Sequence, residues 1–381
     1  MPKKINAKNN GSVRQRDNGT WEARCVINGK RVSFYGAKQS DAVKAMRAAQ
    51  KAADDGTYFE PTRLTVREWL EKWLDEYVAL SAKPLTLAAY RSSSNTHIIP
   101  ALGKIPLKSL NPTQIQEFYN SLTREKGLSA KTVKNVHGIL HEALDQAVKL
   151  RYIGLNASDA CTLPRVEKKE LQPLTEDEIA AFLREIADGE PLKNLFTVAL
   201  FTGMREGEVC GLSWDSVDFI NGTITVKQQL CREKKKDSQL YIGSPKNDKS
   251  RTLTVAPFVM EILRETYRQQ NQWRKTAGAA WENEWNLVFT TETGRYIIPQ
   301  TAFQRFKRIA EKIGRPDARF HDLRHTFAVT SIQEGDDIKT VQENLGHATA
   351  SFTLDVYGHV SEKMKKESAA RMQSYFEKIG G

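Results

Sequence analysis

HDLRHTFAVT, residues 321–330, sets two histidines four positions apart with an arginine between them. Four of the chain's seven histidines fall between residues 321 and 359. On a helix this spacing brings both imidazoles to one face, as in zinc-binding H-E-x-x-H sequences. Here Asp322 follows the first histidine where that motif has Glu, and Arg324 shares the turn. A fixed cation opposes a divalent metal and suits a phosphate oxyanion better. The stretch therefore reads as a phosphate-handling helix without a metal.

Working outward, four further pieces need a joint explanation: TGMREGE (202–208), SPKNDKSRTL (244–253), LGH (345–347) and VYGH (356–359). Arg205 and Arg324 can each offer a fork of N–H groups to one phosphodiester. Lys246, on a β-turn between LYIG and RTLTV, can reach in as a proton donor. Histidines add hydrogen bonds and proton transfer, and Tyr357 supplies a hydroxyl nucleophile. Each piece alone is common by chance; the ordered set is specific.

The bulk composition agrees. At 381 residues, two or three domains are expected. Hydrophobic content of 40% and charged content of 27% are those of a folded, water-soluble chain. The 57 Lys plus Arg against 46 Asp plus Glu give a net charge of +11, which permits a polyanionic partner without proving one. Cys25, Cys161, Cys210 and Cys231 are scattered, so reduced thiols are expected. The longest apolar run, near residues 195–201, is far too short to span a bilayer. The basic start MPKKINAKNN lacks the apolar segment of a secretory signal.

Three blocks are expected. In residues 1–60, WEARCVI alternates, with Trp21, Ala23, Cys25 and Ile27 on one face, and Asn28-Gly29 is a preferred hairpin pair. GSVRQR and KRVSFY flank it as strands. Ser40 can cap a following helix that turns Val43, Met46 and Ala49 or Ala53 inward. The block holds twelve Lys or Arg against six Asp or Glu. Arg14, Arg16 and Arg24 project from the sheet, either as a solvated face or as a surface for a DNA groove. Residues 61–166 read as four helices: one capped by Thr65, one from Pro84 that fades before Pro100, one opened by Asn111-Pro112, and one opened by Ser129. The last carries Lys131 and Lys134 near its start. Its His137 and His141 have no convergent partners and read as non-ligands. Residues 173–381 open at a capping-box pair, Thr175 and Glu178. They mix helices with short strands at TITV, LYIG and RTLTV.

The ordered pieces resemble the tyrosine recombinases, the phage-integrase family. The family's T-G-x-R-x-x-E box matches Thr202, Gly203, Arg205 and Glu208. Its hairpin lysine matches Lys246, its H-x-L-R-H box matches His321, Leu323, Arg324 and His325, its L-G-H box matches Leu345, Gly346 and His347, and its tyrosine matches Tyr357. The resemblance implies a multidomain chain: a small three-stranded sheet plus helix (1–60) as an arm-type DNA-binding domain, an all-α four-helix core-binding domain (61–166), and a mainly α, mixed α+β catalytic domain (173–381). It also implies that Tyr357 attacks a scissile phosphate and becomes joined to the 3′ end. Arg205, Arg324 and His347 would stabilise the transition state, Lys246 would protonate the leaving 5′-oxygen, and His321 would orient or deprotonate the tyrosine. Glu208 and His325 would support that set from behind. No cofactor or metal is required.

The implied partners are double-stranded DNA at core and arm sites, a homotetramer built through the C-terminal helix, and directionality and DNA-bending factors, with no membrane and in a bacterial cytoplasm. That helix carries Met364, Met372, Tyr375 or Phe376, and Ile379 at helical spacing. The leading function is integration and excision of a mobile element. The alternatives are a chromosome- or plasmid-resolving recombinase of the same family, a topoisomerase sharing the chemistry, and a DNA-binding regulator that has lost catalysis.

Overall fold

The structure is a computed structural model that describes residues 11–27, 29–55, 64–167, 172–232, 240–245, 248–346 and 362–379. Contacts divide the chain into two compact units, residues 1–168 and 169–381.

In the first unit, β1 (Ser12–Gln15), β2 (Trp21–Ile27) and β3 (Lys30–Gly36) form an antiparallel sheet in the order β1-β2-β3. Alternation along β2 buries Ala23, Cys25 and Ile27 against Ala42 and Met46 of α1 (Gln39–Asp54). The helix starts before Ser40, with Lys38 as a cap that makes no side-chain bond. The chain turns into the helix directly after Gly36, where a Cβ would lie 2.8 Å from the Ala42 nitrogen. Only a residue without a side chain permits that approach. Ala42, rather than Val43, consequently occupies the core.

The helical segments that follow are set by caps. Thr65 and Glu68 form a reciprocal capping box at α2 (Val66–Trp73), which runs through a wide i→i+5 turn, Leu74–Val78, into α3 (Ala79–Ser81). Next, α4 (Pro84–Ser93) does not fade before Pro100. A second wide turn, Ser94–Ile98, carries it into α5 (Ile99–Leu102), and Pro100 sits at the start of this new segment. A proline there lacks only an N–H that the wide turn has already released. Asn111 and Gln114 cap α6 (Pro112–Arg124), and Ser129 caps α7 (Ala130–Lys149). Trp69, Trp73, Leu140 and Leu144 lie in one core, and the Trp69 indole donates to the Ala143 carbonyl at 2.8 Å. His137 bonds to the Tyr119 hydroxyl at 2.9 Å and His141 to Asp159 at 2.9 Å. His141, Asp145 and Asp159 do converge, and the contact ties residues after α7 back onto it.

The second unit opens with α8 (Glu176–Ala187), α9 (Lys193–Thr202) and α10 (Glu206–Cys210). Five short strands follow: β4 (Val217–Asp218), β5 (Thr223–Val226), β6 (Gln229–Arg232), β7 (Leu240–Gly243) and β8 (Arg251–Thr254). They make two sheets, β4-β5-β8 and β6-β7. The stretches LYIG and RTLTV are therefore not one hairpin. Gln229–Arg232, which buries Leu230 and Cys231, takes LYIG as its partner, so LYIG and RTLTV belong to different sheets. Among the described residues of the unit, five longer helices follow: α11 (Pro257–Ala277), α12 (Pro299–Lys312), α13 (Phe320–Gln333), α14 (Ile338–Leu345) and α15 (Glu362–Lys378). Phe182, Phe196, Phe306 and Phe320 pack at its centre with neighbouring ring centroids 5.9–6.4 Å apart. None of the four cysteines, all of them described, is in a disulfide. Among the described residues, no helix is long and apolar enough to cross a membrane.

Candidate active site

Helix α9 ends where Gly203 adopts φ +61°. A Cβ there would stand 2.5 Å from Phe327 of α13 and 2.9 Å from Leu345 of α14. Glycine thus serves both the left-handed backbone and the close meeting of three helices. Arg324, 2% exposed, crosses this junction. Its Nη1 donates to the Gly203 carbonyl at 2.7 Å and its Nη2 to the Leu345 carbonyl at 2.5 Å. The guanidinium locks the TGMREGE turn to the end of α14 and places a permanent positive charge beneath it.

Arg205 stands at the start of α10 with its side chain 21% exposed. Of the two arginines read from the sequence, it is the more open. Its Nη1 donates to Glu208 Oε1 at 2.6 Å, and its backbone N–H donates to Glu208 Oε2 at 2.9 Å. Glu208 is fully buried and also receives a two-pronged grip from Arg251 of β8, at 3.0 and 2.7 Å. Burial pushes the Glu208 carboxyl up. The Arg251 fork and the charge of Arg205 outweigh it and hold the carboxyl at about 2. Sequence reasoning missed Arg251. The available signal was an arginine opening an alternating strand directly after the lysine-bearing turn.

His321 and His325 begin α13 with ring centroids 4.8 Å apart, edge to face. Asp322, in the place of the zinc motif's Glu, caps its own helix: it accepts the Arg319 backbone N–H at 2.8 Å and the Arg319 guanidinium at 2.9 Å. Desolvation, then His325, Arg324 and Arg205, lower the His321 imidazole to about 4. His321 reaches solvent, which screens those charges, but each neighbouring cation acts in the same direction. Burial, against the opposing pull of Asp322, lowers His325 to about 4. Both rings are neutral at pH 7, and the pocket's fixed positive charge resides on arginines. Arg205, Glu208, His321, Arg324 and His325 are thus gathered together. Lys246, His347, Tyr357 and His359 lie outside the described residues.

The sheet face in the first unit departs from its reading. Arg14 and Arg24 do point outward, 58% and 46% exposed, but both bond to Glu22, at 2.7 and 2.9 Å. Glu22 is itself 1% exposed and also accepts the Tyr35 hydroxyl at 3.2 Å. Against the cost of lost hydration, the two guanidiniums hold its carboxyl well below the usual carboxylate range. Arg16 lies 5.4 Å over the Tyr35 ring. Lys131 and Lys134 are exposed on the first turns of α7.

Residues 172–364 match the family model described as "Phage integrase family", and residues 65–123 match "Phage integrase, N-terminal SAM-like domain". A relative named "Tyrosine recombinase XerC-like", from Caldanaerobacter subterraneus subsp. tengcongensis, is 30% identical over 92% of this chain and 93% of its own. The chain belongs to the phage integrase family. As a tyrosine recombinase it cleaves and rejoins DNA in site-specific recombination. The ICEBs1 integrase of Bacillus subtilis is 26% identical over 77% of this chain and 78% of its own. Among solved structures, the Tn1549 transposon integrase in complex with a circular intermediate DNA superposes with a TM-score of 0.69 at 22% identity, covering 81% of this chain and 99% of that one. A lambda integrase tetramer bound to a Holliday junction gives 0.59 at 19% identity, covering 94% and 99%. The recombinase therefore has the integrase fold, mostly helical with small sheets.

Proposed function

We propose that this recombinase integrates and excises a mobile element, using Arg205, Lys246, His321, Arg324, His347 and Tyr357 on one scissile phosphate. The observation that carries this reading is that Arg324 bonds to the Gly203 carbonyl, two residues before Arg205, and that both arginines lie near enough to His321 for their charges, added to desolvation, to keep its imidazole neutral. A phosphodiester resists attack because it is anionic. Two guanidiniums offset that charge and stabilise the added negative charge of the pentacoordinate transition state. Tyrosine has a pKa near about 10 in water, so a neutral His321 beside it supplies a base where an imidazolium would not. The Tyr357 oxygen bonds to phosphorus as the bond to the 5′-oxygen breaks, and Lys246 gives that oxygen its proton. The freed 5′-hydroxyl of a partner strand then reverses the step. One ester replaces another, so neither ATP nor a metal enters the balance. His347 adds a donor, while Glu208 and His325 hold the arginine and His321 in place.

The rest of the chain takes roles to match. Residues 61–166 form the four-helix core-binding domain, with Lys131 and Lys134 meeting phosphates, and residues 173–381 the catalytic domain. Residues 1–60 bind arm sites through Arg14, Arg16 and Arg24. Four copies assemble on DNA through α15, whose Met372, Tyr375 and Phe376, with Ile379 just beyond its end, are each at least 55% exposed. A groove of about 440 Å³ lined by Ile179, Leu183, Leu200, Phe201 and Phe327 is a fitting receptor on the neighbouring copy. Directionality and DNA-bending factors of a bacterial host cytoplasm complete the assembly. The second reading is a chromosome- or plasmid-resolving recombinase of the same family. The basic sheet-and-helix block at the start favours the integrase, because a resolving enzyme needs no arm sites.

Two duplexes carrying the element's end and its chromosomal target, mixed with the protein in EDTA without ATP, test this. Recombinant product that needs both sites is expected. Relaxation of a single supercoiled duplex with no recombinant would mark a topoisomerase instead.

A further inference from the structure

Arg251 links three parts of the site. Its two terminal nitrogens grip both oxygens of Glu208, at 3.0 and 2.7 Å, and its Nε donates to the Asn344 carbonyl at 2.8 Å. The side chain is only 10% exposed. Gly346 turns against it with φ +63°, and a Cβ there would fall 2.9 Å from Arg251 Cδ. The arginine stands at the first position of β8, five residues after Lys246, while His347 follows Gly346. One guanidinium therefore joins the strand downstream of the lysine, the carboxylate that holds Arg205, and the turn that leads into His347.

We propose that Arg251 is a positioning residue for the cleavage reaction: it fixes Glu208, and through Glu208 the guanidinium of Arg205, while anchoring the backbone entering His347. The proposal rests on the assignment of Arg205 to the scissile phosphate. The physical reason is the number of partners Glu208 serves. Its Oε1 and Oε2 each accept one bond from Arg205 and one from Arg251. With Arg251 gone, a fully buried carboxylate keeps a single cation. Glu208 then pulls the Arg205 guanidinium inward or takes up a proton and releases it. Either way Arg205 loses its fixed aim, and aim is what an arginine stabilising developing charge contributes. Lysine cannot substitute, because one ammonium cannot span two carboxylate oxygens and a carbonyl together.

The test uses Arg251→Gln and Arg251→Lys in the full chain, with single-turnover cleavage of a nicked DNA substrate. One substrate carries the ordinary scissile phosphate. The other carries an uncharged methylphosphonate there, which no longer needs a guanidinium to offset its charge. Both variants are expected to bind DNA within about threefold of the parent and to cleave the ordinary phosphate about tenfold or more slowly. On the methylphosphonate the deficit should shrink to less than about threefold. Should Arg251→Gln not fold, Arg251→Lys, which keeps the charge, carries the same comparison. Parent-like cleavage of the ordinary substrate by the folded variants would overturn the proposal. An equal deficit on both substrates alongside a lowered melting temperature would overturn it too, by making Arg251 a fold support. If the unsubstituted protein formed no Tyr357-dependent adduct, the catalytic reading itself would fail and take this inference with it.

Discussion

His321 shows how a side chain's task is decided by its neighbours. Desolvation, His325, Arg324 and Arg205 all push its imidazole down, to about 4. A base whose folded pKa lies below its unfolded value of about 6.5 disfavours protonation in the native state. Stability is therefore full above that value and is lost as pH falls from there toward 4. The 13C resonance of His321, assigned through His321→Gln, should titrate near 4 in the DNA-free protein and move upward when a DNA phosphate adds negative charge to the pocket. A midpoint near 6.5 without DNA would mean that the arginines do not set its state. Much of this was legible at the residue scale: the H-x-x-x-H spacing, the intervening Arg324 and the misplaced acid at Asp322 already argued against zinc. The depth of Arg324 and the part of Arg251 were not legible. Hydrogen bonds spanning 93 and 121 residues leave no trace in local spacing.

Among elements, boundaries with a chemical cap were read well and boundaries set by packing were not. Thr65, Asn111, Ser129 and Thr175 each cap the helix expected of them. Pro100 misled because a wide turn absorbs it, and Ser40 because Gly36 lets the helix start earlier. The strand partners of LYIG and RTLTV also escaped, since alternation marks a strand without naming its neighbour. Helix α15 carries a prediction of its own. Its described side chains, residues 369–378, are all exposed, and among them Met372 and Phe376 are apolar, 68% and 55% exposed. Met372→Ser with Phe376→Ser should leave affinity for a single site within about threefold. The same pair should abolish the four-subunit complex on paired sites, read by light scattering. A normal tetramer from the double variant would show that assembly uses another surface.

At the scale of the whole molecule, punctuation and charge lead to an expectation of three blocks; the two family matches span residues 65–123 and 172–364, and contacts divide the chain into two units, residues 1–168 and 169–381. The first block rests on pattern alone: Arg14 and Arg24 project from the sheet as expected, and the structure adds a buried Glu22 that bonds to both. That burial could not be read from β2, where Glu22 occupies an outward position. The proposed recombination turns on a single covalent event, the transfer of a DNA 3′-phosphate to the hydroxyl of Tyr357. Its most direct test is a substrate nicked beside the scissile phosphate, so that the freed 5′ fragment diffuses away, followed by peptide mapping of the trapped adduct by mass spectrometry. The prediction is one nucleotide-bearing peptide modified at Tyr357, absent in Tyr357→Phe. An adduct on any other residue, or none in a protein that binds the same DNA, would contradict it.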